Sequence, residues 1–152
     1  MRYDRRLPRV LHVLLHLDGM EEPITSAVIA TMLNTDPGFV RRTMAGLRDR
    51  GWVTSSRGQG GGWRLVVPLE SMTLLELYEA LGSPELFALS GSEDAPQCLM
   101  ERAANAAVDR ALLAAEATFR EQLAGVTVAD LADDFAVRLE ASGYAAWVPH
   151  PK

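Results

Sequence analysis

The sequence predicts a mainly α-helical protein, a winged helix-turn-helix domain followed by a long C-terminal helix. Two observations predict the domain: three short amphipathic segments stand in a row, and a β-prone hairpin with four glycines among the tip residues 57–62 follows them. A third observation predicts the long helix, because residues 97–123 form one alanine-rich stretch with apolar residues at helical spacing.

Apolar residues at three- and four-residue spacing predict a first helix through Val10, Leu14 and Leu17 that ends near Asp18-Gly19. Residues 19–23 form a loop. Either Thr25 or Ser26 can cap the second helix, since both hydroxyls suit that position.

Asn34-Thr35 predicts a short break before the third helix. Asp36-Pro37 reads as a helix cap followed by proline at the first helical position, where its missing N–H costs nothing. Phe39, Val40, Met44 and Leu47 form the predicted inner face, and the helix ends at Arg50-Gly51.

The period then changes to that of strands. Residues 52–54 and 63–67 predict the two strands of a wing, with residues 57–62 as its turn. Thr73-Leu74-Leu75-Glu76 matches a capping box and opens a further helix, and Thr127-Val128-Ala129-Asp130 caps the final one. The long helix between them would span ~40 Å.

These elements predict four segments. Residues 1–82 form the winged helix-turn-helix domain, 83–96 a loop, 97–140 the long and terminal helices, and 141–152 an irregular tail. The chain of 152 residues can bury a core without a disulfide or a metal, and its single cysteine excludes an intrachain disulfide framework. No apolar run approaches the ~20 residues of a membrane span, so we expect a soluble, cytoplasmic protein without a membrane partner.

Charge is distributed unevenly along the chain. Residues 1–66 hold ten arginines and six acidic residues, whereas residues 67–152 hold five basic and fourteen acidic residues. A basic first half in a chain of net charge -5 indicates a polyanion-binding head on an acidic body. Arginine suits phosphate and guanine because its planar fork donates two parallel hydrogen bonds.

The arginines favour a DNA-binding surface. The exposed side of the third helix carries Arg41, Arg42, Arg48 and Arg50, and Gly38 lets the backbone approach a base edge or a phosphate closely. Arg57 leads the glycine tip and suits a narrow minor groove. Two plainer interpretations stay open: Arg48 and Arg50 complement the helix dipole, and Arg41 and Arg42 form a solvated face.

Enzymatic motifs are missing from the sequence. The glycine run 58–62 lacks the Lys-Ser/Thr ending of a P-loop, and a strand rather than a helix follows it. No Ser/His/Asp, metal-ligand or paired-carboxylate spacing commits the chain to catalysis, so we expect no enzyme, no catalytic residue and no metal site.

Several of these strings resemble the Rrf2 family of bacterial repressors (the IscR/NsrR/CymR type). The strongest is the wing string 57–63, and further matches include Ser26-x-x-Ile29-Ala30, residues 39–42, Gly51-Trp52-Val53, Cys98-Leu99 and residues 126–131. The resemblance covers residues 1–135. It implies a homodimer on a palindromic double-stranded DNA operator, with the long helix crossing between the subunits.

The resemblance also implies site residues. The DNA-binding set comprises Ser26, Gly38, Phe39, Arg41, Arg42, Arg57, Gly58, Gln59, Gly60 and Gly61. The dimerisation set comprises Ala104, Val108, Ala111, Leu112, Ala115 and Phe119. The function it implies is a dimeric, sequence-specific transcriptional regulator, a repressor that responds to a small-molecule or redox signal.

Cluster-binding relatives carry three cysteines where this chain keeps Cys98 alone, so we expect no iron–sulfur cluster and no cofactor. A mixed site of Cys98, Glu101 and His12 or His16 stays open, as does Cys98 being a redox switch or a buried, inert thiol. Two alternative functions also remain: a winged-helix adaptor that binds protein, and a thiol-based sensor.

Overall fold

The computed structural model describes residues 4–87 and 98–142. These ranges contain six α-helices, one 3₁₀ turn and one two-stranded antiparallel sheet. In chain order the elements are α1 (Arg6–Asp18), α2 (Ser26–Met32), α3 (Pro37–Asp49), β1 (Val53–Ser56), β2 (Gly62–Leu65), the 3₁₀ turn (Leu69–Ser71), α4 (Leu74–Ala80), α5 (Leu99–Ala124) and α6 (Val128–Ser142). The mainly α fold with a two-stranded wing is confirmed. No described helix is long and apolar enough to cross a membrane.

The predicted end of α1 and the predicted starts of α2 and α3 agree with the structure. α1 ends at Asp18, and Thr25 rather than Ser26 caps α2, because the Thr25 hydroxyl accepts the Val28 N–H. Asp36 caps α3 by accepting the Phe39 N–H at 2.8 Å, with Pro37 at the first helical position. Each cap satisfies a backbone donor that the helix itself leaves unpaired.

Some boundaries differ from the prediction. β1 continues to Ser56 and β2 already begins at Gly62, because the ladder pairs Ser56 with Gly62 next to the turn. α5 begins at Leu99 rather than 97, since Cys98 has an extended backbone and is the N-cap. α6 runs to Ser142, two residues into the predicted tail. The predicted loop beyond residue 87, Gln97 and the tail from 143 lie outside the described residues.

The core lies inside the winged domain, and it also receives a residue from the C-terminal half. Leu14, Ile29, Met44 and Leu77 are almost fully buried there. Val128, the first residue of α6, is buried in the same core. The residues predicted as a separate C-terminal segment therefore contribute to the core of the winged domain, the head, which comprises α1 to α4 and the wing.

α4 and α6 each begin with a capping box, and a backbone bridge joins the two helix starts. Thr73 and Glu76 form the predicted box at the start of α4, and Thr127 and Asp130 form the corresponding one at the start of α6. Thr73 and Thr127 also form an isolated antiparallel bridge, so the two helix starts lie side by side. This bridge fixes the C-terminal helices on the winged domain.

Candidate nucleic-acid interface

On α3 the apolar and the cationic residues lie on different faces of the helix. Val40, Met44 and Leu47 are buried in the head. Arg41 and Arg48 lie seven residues apart, close to two full turns, and both side chains are exposed on one face. Packing of the apolar stripe therefore directs both guanidinium groups towards the wing.

A cleft of about 370 Å³ separates α3 and the start of α2 from the wing. It is lined by three arginines, four hydroxyl side chains and the base of the hairpin. These residues are Thr25, Ser26, Arg41, Arg48, Ser55, Ser56, Arg57, Gly58, Gly61, Gly62 and Trp63. Guanidinium and hydroxyl donors around one concave surface are the groups that bind the phosphates of nucleic acids.

The wing tip depends on its glycines. Gly58 and Gly60 have φ angles of +90° and +74°, which side-chain-bearing residues rarely adopt. A Cβ on Gly61 would come within 2.6 Å of the Ser56 carbonyl oxygen, so only glycine lets the hairpin turn this tightly. Arg57 and Gln59 are exposed at this tip.

The wing is anchored to the segment that leads into α2. Ile24 and Trp63 exchange two backbone hydrogen bonds of 2.9 and 2.8 Å. The Trp63 indole Nε1–H donates to Ser26 Oγ at 2.9 Å. These bonds join residues almost forty positions apart, and they fix the position of the wing relative to the helix-turn-helix.

The structure brings only part of the predicted DNA-binding set into the cleft. Ser26, Arg41, Arg57, Gly58 and Gly61 line it. Gln59 and Gly60 are exposed at the adjoining tip.

Phe39 and Arg42 lie elsewhere on α3. Both border a second recess of about 330 Å³ between α1, α3 and α4, together with Arg6. The Arg9 guanidinium lies over the Phe39 ring, 5.3 Å from its centroid. Successive helix residues are separated by about 100°, so Phe39 and Arg41 point in nearly opposite directions.

Gly38 has a role beside any DNA contact. A Cβ on Gly38 would come within 2.8 Å of the Asp36 Oδ1 atom that caps α3. The Phe39 N–H bond and, to a smaller degree, the charge of Arg42 lower the pKa of Asp36. Glycine at position 38 thus leaves room for an ionised cap at the start of α3.

Arg48 and Thr25 belong to the cleft, although the predicted DNA-binding set omits both. The signal for Arg48 is its seven-residue distance from Arg41, which places two arginines on one face. Thr25 has no comparable signal, because its position in the cleft depends on how the wing folds back onto α2.

Cys98 is exposed at the N-cap of α5, so the interpretation of a buried, inert thiol is wrong. The backbone N–H groups of Glu101 and Met100 lower the pKa of this thiol, as expected at a helix N-terminus. In the described part of the chain, no three His, Cys, Asp or Glu side chains form a group that could hold a metal ion.

Among the described residues, none that belongs to α5 is buried. Of the predicted dimerisation set, Ala104, Val108, Ala111 and Ala115 are exposed and Leu112 is half-buried. Phe119 instead contacts Tyr78 of α4 edge-on, with 5.4 Å between the ring centroids. Arg120 of α5 also forms an ion pair with Glu79 of α4. The C-terminal part of α5 is thus docked on the head.

The known proteins that this chain resembles are described as transcriptional regulators. A family model described as Rrf2, iron-dependent transcriptional regulator, matches residues 3–134. The HTH-type transcriptional regulator YwnA of Bacillus subtilis is 30% identical over 127 residues, which cover 83% of this chain and 93% of YwnA.

Two solved structures share the fold. A transcriptional regulator from Lactobacillus plantarum superposes with a TM-score of 0.76 at 22% identity, covering 91% of this chain and 98% of the other. IscR of T. potens superposes with a TM-score of 0.64 at 19% identity, covering 97% and 94%.

Proposed function

Because this chain belongs to the Rrf2 family of transcriptional regulators, we propose that it binds double-stranded DNA as a homodimer and represses transcription from a palindromic operator. The observation that carries this proposal is the cleft between α3 and the wing, where Arg41, Arg48 and Arg57 surround a concave surface of donors.

The two sides of the cleft support different contacts. α3 fits the width of the major groove, so Arg41 lies on a face that can reach base edges and phosphates. Arg57 stands at the wing tip, where it can enter the adjacent minor groove or neutralise its phosphates. Arg42, on the side of α3 towards α1, would contact the flanking backbone rather than the cleft.

A second copy of α5 is the proposed partner of this helix. Its 26 residues, about 39 Å in length, leave Val108 exposed at 42%, and Ala104, Ala111 and Ala115 are exposed on the same face. An isolated helix of this length needs an apolar surface to pack against. Pairing through the stripe that includes Ala104, Val108 and Ala111 would hold two winged heads on one face of a duplex.

The donor set does not fit the iron dependence in the family's description. The chain has one cysteine, whereas an ordinary iron–sulfur cluster takes four protein ligands. The described residues hold no cluster of three potential metal ligands that would replace the missing thiolates. The proposed mechanism therefore contains no step that depends on iron.

Cys98 supports a redox signal as a second element of the proposal. It is exposed, and two backbone N–H groups lower the pKa of its thiol, which raises the fraction of reactive thiolate. The alternative signal is a small molecule. Mass spectrometry after mild peroxide treatment, paired with a DNA-binding assay, tests the redox signal; unchanged DNA binding by fully oxidised Cys98 would reject it.

Selection of bound duplexes from a random oligonucleotide pool tests the proposed function. We expect enrichment of one palindromic sequence whose half-sites lie about one helical turn apart, since a dimer places its two recognition helices at that spacing. An unenriched pool would reject sequence-specific binding and would favour the protein-binding adaptor.

A further inference from the structure

A buried indole donates the side-chain hydrogen bond between the wing and α2. The Trp63 indole Nε1–H donates to Ser26 Oγ at 2.9 Å. The Trp63 side chain is buried, and its backbone exchanges two hydrogen bonds with Ile24, so the indole is held in place. The Ser26 oxygen therefore accepts from a fixed direction.

This contact determines where the Ser26 hydroxyl can donate. A serine hydroxyl has one proton and two acceptor lone pairs, and the proton rotates about the C–O bond. With the indole N–H occupying one side of the oxygen, the hydroxyl proton points away from Trp63. Ser26 lines the cleft with Arg41 and Arg57, so a donor there adds a neutral hydrogen bond beside two guanidinium groups.

We propose that Trp63 is a positioning residue that orients the Ser26 hydroxyl to donate to one backbone phosphate of DNA bound in the cleft. The inference rests on the proposed DNA-binding function. The neighbouring Thr25 hydroxyl also accepts an N–H, that of Val28, at 3.3 Å. The bond from the buried Trp63 indole to Ser26 is shorter, at 2.9 Å, so Ser26 is the more firmly oriented hydroxyl and is assigned to the phosphate.

The indole N–H is the specific requirement. Phenylalanine at position 63 keeps an aromatic ring in the core, but it removes the N–H together with the volume of the pyrrole ring. Trp52 offers a matched control in the same hairpin. It is also buried, with the Arg50 guanidinium 5.8 Å from its ring centroid, and it does not line the cleft.

The experiment compares the DNA affinity of four variants with that of the wild-type chain on the selected operator. We expect Trp63→Phe to weaken binding about three- to ten-fold and Ser26→Ala about ten-fold, the range of single hydrogen bonds. Ser26→Thr, which keeps the hydroxyl, is expected to lose less affinity than Ser26→Ala. Trp52→Phe is expected to retain wild-type affinity within about two-fold. Since Ser26 is uncharged, none of the four changes the salt dependence.

The double variant Trp63→Phe/Ser26→Ala distinguishes positioning from packing. If Trp63 acts through Ser26, the double variant binds DNA no more weakly than Ser26→Ala alone. Additive losses would overturn the inference, as would wild-type affinity in Trp63→Phe. Thermal unfolding identifies any poorly folded variant, and Ser26→Ala against Ser26→Thr then decides whether the hydroxyl contacts DNA. Failure of the wild-type chain to bind any duplex would reject the proposed function itself.

Discussion

The helices α3 and α5 use their apolar residues in opposite ways. α3 has 13 residues, and it buries Val40, Met44 and Leu47 while it exposes its arginines. α5 has twice that length and buries no residue, although Leu99, Met100, Val108 and Leu113 are all large and exposed. One helix is stabilised by its own chain, and the other lacks a comparable partner within the described residues.

The difference supports the partners proposed for the two helices. The apolar face of α3 is fully used inside the head, so its remaining surface is cationic and suited to a polyanion. One exposed face of α5 is rich in alanine, with Ala104, Ala111 and Ala115, which permits close approach of another helix. We therefore assign DNA to α3 with the wing and a second copy of the chain to α5.

Val108→Glu on α5 has the largest expected effect on DNA binding. A charge within the proposed interface breaks the dimer, and the loss of two-site attachment lowers operator affinity by about 10²–10⁴-fold. Sedimentation equilibrium measures the assembly state, and Ala106→Glu, on the opposite face of α5, is the matched control. A Val108→Glu chain that remains dimeric would refute the assignment of this face.

Replacing one leucine by alanine in each helix compares how much α3 and α5 contribute to the free energy of unfolding. Leu47 on α3 is fully buried, so Leu47→Ala is expected to lower the free energy of unfolding by about 2–5 kcal/mol. Leu113 on α5 is 66% exposed and lies outside the proposed interface stripe, so Leu113→Ala changes it by less than about 0.5 kcal/mol. Urea titration measures both. Equal losses would mean that α5 packs as tightly as α3.

Removal of arginines tests the cationic surface. Arg57→Ala is expected to weaken operator binding by about 1–3 kcal/mol and to reduce the salt slope by about one. Arg110→Ala removes the same charge from the exposed surface of α5 and leaves both quantities unchanged. Fluorescence anisotropy at several salt concentrations measures them. The same loss in both variants would make the effect one of net charge rather than of the wing.

The smallest expected effect is the loss of folding stability at acidic pH. Hydrogen bonds from the backbone N–H groups of Phe39, Thr73 and Thr127 lower the pKa values of Asp36, Glu76 and Asp130, respectively. Because each folded-state pKa lies below its unfolded value, the stabilisation is complete above about pH 5 and disappears as the pH falls through the folded values.

The variant Asp36→Asn/Glu76→Gln/Asp130→Asn removes these three carboxylates. It is expected to flatten the change in urea midpoint between about pH 5 and 3. If the urea midpoint of this variant fell between these pH values as steeply as that of the wild-type chain, other carboxylates would be the cause.

Local sequence signals predicted the helix caps well. Asp36, Thr73 and Thr127 each act on a backbone N–H within three residues, so the pattern and the contact lie in the same short stretch. The same is true of Arg41 and Arg57, whose exposure follows from helical period and from the glycine turn.

Those local signals did not predict contacts between segments that are distant in the sequence. The Trp63 bond to Ser26 and the burial of Val128 in the head depend on how separate elements pack, which periodicity does not encode. Phe39 illustrates another limit. The resemblance grouped it with Arg41, but the two side chains are two positions apart on the helix and therefore point about 200° apart around its axis.

The dependence of operator affinity on salt concentration tests the central claim, that the α3–wing surface binds DNA through its phosphates. Neutralisation of about six phosphates releases counterions and gives a log–log slope of about -5. Measured on the selected operator between about 50 and 200 mM salt, this slope corresponds to a loss of roughly 10³-fold in affinity. An affinity that does not change over this range would contradict the account.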